Sequence, residues 1–365
     1  MAFLYELAIL GAPSDQQVSE LEQLVSQAVV PFGLRLRQEV AWLVRPEAFN
    51  PEQQRTAAAV FFGGKDAPQA NLQSLLRKAI PVLPVVSQPA KLHEEIPPAL
   101  QHLNCLSYSA GGAQRVTTAL LECACLLPRQ RRVFVSYRRN EAREAAVQLF
   151  DAISSRLFDV FLDTHGIAPA EDFQSVLWHR LCDSDVLVML DTLNYFNSRW
   201  TKAEFGRALA KGISVLRIGW PDSTPSVQTA TASRAELLAE EVDPSTGRLA
   251  EQAIARICLQ LEAVRSQSHA VRNLNLVSNL RHAIEKIGGT VEGVGPSRAV
   301  YIRLSDGRNV VVFPTVGVPT STTLHDAMTN APDHSVAVIY DHIGLHPTWL
   351  GHLDWLGNHI QNPRW

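Results

Sequence analysis

Trp200 and Glu204 stand four residues apart in the stretch "SRWTKAEF", Ser198 to Phe205. On an α-helix that spacing puts both side chains on one face, a turn apart. An indole beside a carboxylate can hold a flat ring and stabilise a cation. The same residues also have structural readings. Thr201-Lys-Ala-Glu204 fits the capping-box spacing, in which a Thr hydroxyl and a Glu carboxylate satisfy backbone donors at a helix start. Trp200 also suits a core aromatic opening a helix in an apolar segment. Three further groups of polar residues close apolar runs. Ser136-Tyr137-Arg138-Arg139 ends one, with Glu141 just beyond; Asp163 ends the next, ahead of a loop holding His165 and Gly166; Asp191 ends the third, before Asn194-Tyr195-Phe196-Asn197. Their plain alternatives are strand-end packing for Tyr137, solvated surface for Arg138 and Arg139, and turn or cap roles for Asp163, Asp191 and Asn194. There is no GxxxxGK[ST], no GxGxxG after a strand, no GxSxG and no HExxH, so phosphate-cradle enzymes, serine hydrolases and zinc hydrolases lose their usual signals.

Regular elements must position these residues. "RVFVSY", "FDVFLD", "SDVLVML" and "ISVLRIGW" are short apolar runs suited to strands covered on both faces. Between them "EAREAAVQLFDAISSRL", "FQSVLWHRLCD" and "SRWTKAEFGRALAKG" carry helical spacing, the last stopped by Gly212. That alternation predicts a doubly wound parallel sheet, whose ligands bind at the carboxyl ends of the strands. Residues 1–127 repeat the rhythm with "YELAILGA", "AAAVFFGG" and "AIPVLPVVS", the last a strand near an edge because of its prolines. After a Ser/Thr/Pro-rich loop the chain turns helical from Leu249 to Leu280. Asp306-Gly307 then joins two strands in a hairpin, and "SVAVIYDH" is a further strand. We therefore expect an α/β protein in three parts: an α/β domain at 1–127, a central domain with a trailing helix at 130–268, and a small α+β module at 270–365.

With 365 residues, more than one core is expected. A hydrophobic fraction of 46% with 19% charged residues is that of a globular chain and argues against disorder. A formal net charge of -3 offers no electrostatic case for nucleic-acid or membrane-surface binding. The five cysteines (Cys105, Cys123, Cys125, Cys182, Cys258) form no CxxC pair, which suits a reducing compartment, and Cys182 reads as a small buried hydrophobe. "MAFLYELAIL" lacks a basic n-region and a cleavage site, and no apolar stretch approaches the ~20 residues that cross a bilayer, so a cytoplasmic protein is expected. His342, His346, Trp349, His352, Trp355, His359 and Trp365 crowd the end of the chain. Without HExxH or a Cys partner they read as a packed aromatic surface, with no metal assigned.

Taken in order, "VFVSYRRNE", "VFLDTHGIAPAEDF", "SDVLVMLDTLNYFNSRWTKAE" and "FGRALAKGISVLRIGWP" resemble a bacterial Toll/interleukin-1 receptor (TIR) domain over about 131–221. "RKAIPVLPVVS" in the first segment is reminiscent of a degenerate second copy, without the SYRR end or the WxxxE helix. The resemblance implies a flavodoxin-like central domain. Many bacterial members cleave NAD+ at its nicotinamide–ribose bond, and some cyclise the product into an antiviral signal. The family's catalytic Glu falls on Glu204 and its stacking aromatic on Trp200, while Ser136, Tyr137, Arg138 and the loop from Asp163 border the same pocket. Ala170-Glu171-Asp172 departs from the family, which often has Gly before the acidic residue.

The resemblance thus implies an NAD+ glycohydrolase or ADP-ribosyl cyclase with NAD+ as substrate, no separate cofactor, and self-association through TIR domains. The residue types suit that chemistry. Nicotinamide leaves as a neutral base, so one carboxylate suffices to stabilise the oxocarbenium-like ribose. The indole face adds stacking and a cation–π contribution of about 0.5–2 kcal/mol to the pyridinium. Two rivals stand beside it: a non-enzymatic TIR scaffold for protein assembly, and a nucleoside or nucleotide glycosidase on a related sheet.

Overall fold

The structure is a computed structural model that describes residues 3–69, 71–109, 111–162 and 173–361. Asp163, His165, Gly166, Ala170-Glu171-Asp172 and Trp365 lie outside the described residues. The first sheet comprises β1 (Tyr5–Gly11), β2 (Val40–Val44), β3 (Thr56–Phe62), β4 (Val82–Val86) and β5 (Leu106–Ser107), all parallel, in the order β2-β1-β3-β4-β5. Every residue of β3 is buried, as expected of a strand covered on both faces. β5 pairs only with Val85 and Val86, so Pro84 is spared a ladder bond on that side of β4. Around the sheet run α1 (Asp15–Val29), α2 (Leu72–Arg77), α3 (Leu92–Glu95) and α4 (Gly112–Cys123). In α1, Ser14 and Gln17 form a reciprocal capping box, and Leu21, Val25 and Val29 bury one face at four-residue spacing.

The second sheet comprises β6 (Arg132–Ser136), β7 (Asp159–Leu162), β8 (Val186–Asp191), β9 (Ser214–Gly219) and β10 (Ser233–Glu236), again all parallel, in the order β10-β9-β8-β6-β7. Its helices are α5 (Arg139–Ser154), α6 (Phe173–Cys182), α7 (Arg199–Ala210) and α8 (Glu251–Lys286). Alternate strand residues feed two cores. Val133, Val135, Val186, Val188 and Leu190 join Ala145 and Leu149 of α5 and Ile257 and Leu261 of α8. Phe134, Leu187 and Met189 join Leu177 and Leu181 of α6 and Phe205 and Ala208 of α7 on the other face. Arg265 fastens α8 to this unit, donating from Nε to Asp185 Oδ2 at 2.9 Å and from Nη2 to the Gln130 carbonyl at 2.7 Å.

The third sheet, in the order β11-β12-β13-β14, comprises β11 (Thr290–Val294), β12 (Val300–Arg303), β13 (Asn309–Thr315) and β14 (Ser335–Tyr340). The β12–β13 pairing is antiparallel around Gly307, whose φ of 87° suits the turn, while β13 and β14 run parallel. Helices α9 (Ser321–Asn330) and α10 (Pro347–Gln361) complete the chain. Contacts divide it into two compact units, one of Met1–Leu127, His269–Thr315 and Thr322–Tyr340, the other of Pro128–Ser268, Val316–Ser321 and Asp341–Trp365. Residues 270–365, expected as one module, are divided between the two units. The third sheet joins residues 1–127 through its apolar faces, whereas the segment after Tyr340 meets α6 at His179 and Cys182. Tyr301, Val311 and Phe313 enter the core of Ala57, Ala59, Phe61 and Leu75, while Val300, Ile302 and Val312 pack with Val277 of α8.

Candidate active site

In the second sheet the chain places β6 first, β7 to one side of it and β8 to the other, so β6 and β8 diverge at a switch point where doubly wound sheets bind ligands. Ser136 is the last residue of β6 and Asp191 the last of β8. α7 starts over the same edge, capped by Ser198, whose Oγ accepts from the Trp200 N–H at 3.3 Å. The capping-box reading of Thr201 and Glu204 is therefore corrected. Thr201 lies inside the first turn and its hydroxyl donates backward to the Tyr195 carbonyl, and to that of Ser198 at 3.3 Å. Glu204, a turn further on, instead accepts a hydrogen bond from Ser136 Oγ of β6.

Ser136, Tyr195 and Glu204 form a buried chain of hydrogen bonds. Their exposures are 1%, 0% and 5%. Ser136 Oγ lies 2.6 Å from Tyr195 Oη. A serine has one proton, and here it goes to the carboxylate, so Tyr195 donates to Ser136. Burial, and then the Glu204 carboxylate, push the Tyr195 phenol well above its ordinary value of 10.0, so it keeps the proton it donates. The direction of donation runs from Tyr195 through Ser136 to Glu204, which stabilises an ionised carboxylate against the desolvation that opposes it.

Glu204, Trp200, Tyr137, Arg138 and Arg139 line one cleft of about 470 Å³, together with Asn140, Ser198 and Thr201. Tyr137 is buried, and its hydroxyl has no hydrogen-bond partner among the described residues. Trp200 is half-buried, and the Arg199 guanidinium sits 4.7 Å from its ring centre. Arg138 donates from Nη1 to Glu141 Oε1 at 2.7 Å and to the Asn194 carbonyl at 3.3 Å, which ties the end of β6 to the turn after β8. Ser136 does not line the cleft but stands behind Glu204, so its place is that of a support. Asp191 faces inward, with its Oδ2 accepting from Arg217 Nε at 2.5 Å. Tyr195 carried no role in the sequence, because its partner Ser136 is 59 residues away and nothing local marks the pairing. Asn140 and Ser198, adjacent to the motifs, were likewise not assigned to the cleft.

Among the described residues no group of three or more His, Cys, Asp and Glu side chains is placed to hold a metal ion. The aromatic residues of α10 lie in a series: Trp349 meets His179 of α6 edge-on at 4.7 Å, His352 is tilted against Trp349 at 5.2 Å, and Trp355 stacks on His352 at 6.1 Å. Cys182 is buried and its thiol donates to the Gly344 carbonyl at 3.2 Å. No helix among the described residues is long and apolar enough to cross a membrane.

Compared with known proteins, residues 133–243 match the family described as TIR domain. No curated protein matches the chain. Among solved structures it is similar to the tagatose-6-phosphate ketose/aldose isomerase of Escherichia coli at 11% identity, over 74% of this chain and 82% of that one, with a TM-score of 0.19, a likeness too loose to carry an argument. The family match spans the strands, the switch point and the cleft that holds Trp200 and Glu204. Over residues 133–243 this chain carries a TIR domain.

Proposed function

We propose that the TIR domain cleaves NAD+ at its nicotinamide–ribose bond, with Glu204 as the catalytic carboxylate. The observation that carries this reading is that Glu204 and Trp200 line the same cleft, at the carboxyl edge of the sheet. In the proposed step the C1′–N bond breaks heterolytically and the electron pair stays with nicotinamide, which leaves neutral. The ribose then carries positive charge, and the Glu204 carboxylate stabilises it. Water attacks C1′ and releases one proton to solvent, giving ADP-ribose, or a ring nitrogen of the adenine attacks C1′ and gives a cyclic isomer. Trp200 stacks on the flat pyridinium with the face that Arg199 does not cover. The free hydroxyl of Tyr137 and the guanidiniums of Arg138 and Arg139 supply hydrogen bonds and positive charge for the sugar and diphosphate. NAD+ is substrate rather than cofactor in this scheme, and self-association of TIR domains raises activity.

A second reading, a TIR scaffold without catalysis, draws on the small 5% exposure of Glu204. Incubation of the full chain with NAD+ separates the two. Release of nicotinamide that Glu204→Gln abolishes supports the enzyme, and turnover equal to wild type in that variant refutes the assignment. Free nucleotides offered beside NAD+ test a glycosidase of broader scope.

A further inference from the structure

A separate cleft of about 220 Å³ lies in the other unit, at the amino ends of β3 and β4. Arg55, Arg77, Lys78 and Arg298 line it, and no Asp or Glu does. Arg55 has a counter-ion in Glu52, at 2.8 Å. Arg298 has none among the described residues. Half-buried, it donates to a carbonyl (Cys123, 2.6 Å), an amide oxygen (Asn273, 3.4 Å) and a thiol (Cys125, 3.6 Å). Arg77 and Lys78 are exposed and also lack a carboxylate partner among the described residues. A guanidinium partly withdrawn from water and held only by neutral acceptors gains from an added negative charge.

The backbone gives an independent sign. Two residues that line the cleft adopt left-handed conformations, Ala79 at φ 56° and Arg298 at 56°, and so does Ser297, next to Arg298, at 55°. Such conformations are costly for side-chain-bearing residues and gather where a site must be shaped. They hold Arg298 and the end of α2 against the same space.

We propose that this cleft is an anion site that takes the phosphate group of a small phosphorylated molecule. Among the described residues Arg298 has Nη2 left over after Nε and Nη1 are taken by protein acceptors, Arg55 adds a second guanidinium, and Lys78 adds a compact charge. The volume suits a phosphomonoester or free phosphate rather than a polymer. The site stands apart from the TIR cleft and does not depend on the NAD+ reading.

Calorimetric titration of the full chain at low ionic strength, with inorganic phosphate in one arm and AMP in the other, tests it. Saturable binding is expected in at least one arm. Tighter phosphate identifies the free ion as ligand, and tighter AMP identifies a monoester. The doubly substituted Arg77→Ala/Lys78→Ala chain changes only exposed side chains, and its affinity should fall by about tenfold or more, the scale of losing one charge-assisted hydrogen bond. No saturable binding in either arm, or an unchanged affinity in that variant, overturns the proposal.

Discussion

Glu204 reaches back to a strand 68 residues earlier in the chain, and that contact determines how the carboxylate is held. Because Tyr195 ends the same series of hydroxyls, Tyr195→Phe removes a buried donor while keeping the ring that packs against Phe196 at 5.1 Å. Urea unfolding should show a loss of about 0.5–1.5 kcal/mol with an unchanged m-value. An unaltered midpoint would mean the hydroxyl contributes nothing. Trp200→Ala tests the stacking role separately. If the indole holds the pyridinium, KM for NAD+ should rise by roughly 2- to 30-fold, the equivalent of 0.5–2 kcal/mol, and an unchanged KM removes Trp200 from the substrate's path. The Trp200–Glu204 pair was legible in the sequence because helical spacing is a local signal. Tyr195 and the unpartnered hydroxyl of Tyr137 were not, since burial and long-range pairing leave no trace in the residues beside them.

α7 sets the direction in which both site residues point, and its two ends show where reading the sequence works. Gly212 was expected to stop the helix, and it follows the last turn with φ 69°, a conformation that costs glycine nothing. The start expected at Ser198 matches the observed cap, while the alternative capping box from Thr201 lies three residues too far along. Ser198 and Thr201 both offer hydroxyls, and only the tertiary bond from Ser136 to Glu204 shows that Glu204 has a partner other than the helix end. A methyl group at position 212 would meet no atom within 4 Å, so Gly212→Ala should pay only for the backbone, about 1 kcal/mol by thermal or denaturant melting. A stabilised variant would contradict the cap assignment. β1, β3 and β4 of the first sheet and β6 to β9 of the second were legible as apolar runs, whereas β2 and β5 were not singled out and β10, Ser233–Glu236, is mostly polar and begins inside a stretch that reads as loop. β12, β13 and β14 of the third sheet were also visible, but not what covers the two faces of β12 and β13, because Leu75 and Val277 lie elsewhere in the chain.

At the scale of the molecule, acid should weaken both units. The Arg35 hydrogen bond and charge hold the Glu39 carboxyl below its ordinary value of 4.5, despite burial. Burial pushes Glu141 upward, but hydrogen bonding that includes the Asn194 N–H, with the charge of Arg138, leaves it also below 4.5. A carboxyl lowered by folding stabilises above its unfolded value and loses that contribution as pH falls through the folded one. Asp191, raised by burial above its ordinary 3.8 despite Arg217, acts in the opposite sense as pH rises. Urea midpoints should therefore drop below about pH 4.5, and Glu141→Gln should make the drop shallower; an equal drop in that variant would show that Glu141 plays no part. The central claim, that a buried and serine-held carboxylate works on a pyridinium nucleotide, is tested most directly by nicotinamide release. Full-length protein at rising concentration should release nicotinamide from NAD+, and Glu204→Gln should lower that rate by on the order of 10²-fold or more, with circular dichroism and oligomer size unchanged. Release at the wild-type rate by Glu204→Gln, or no release by the wild-type chain at any concentration, would contradict it.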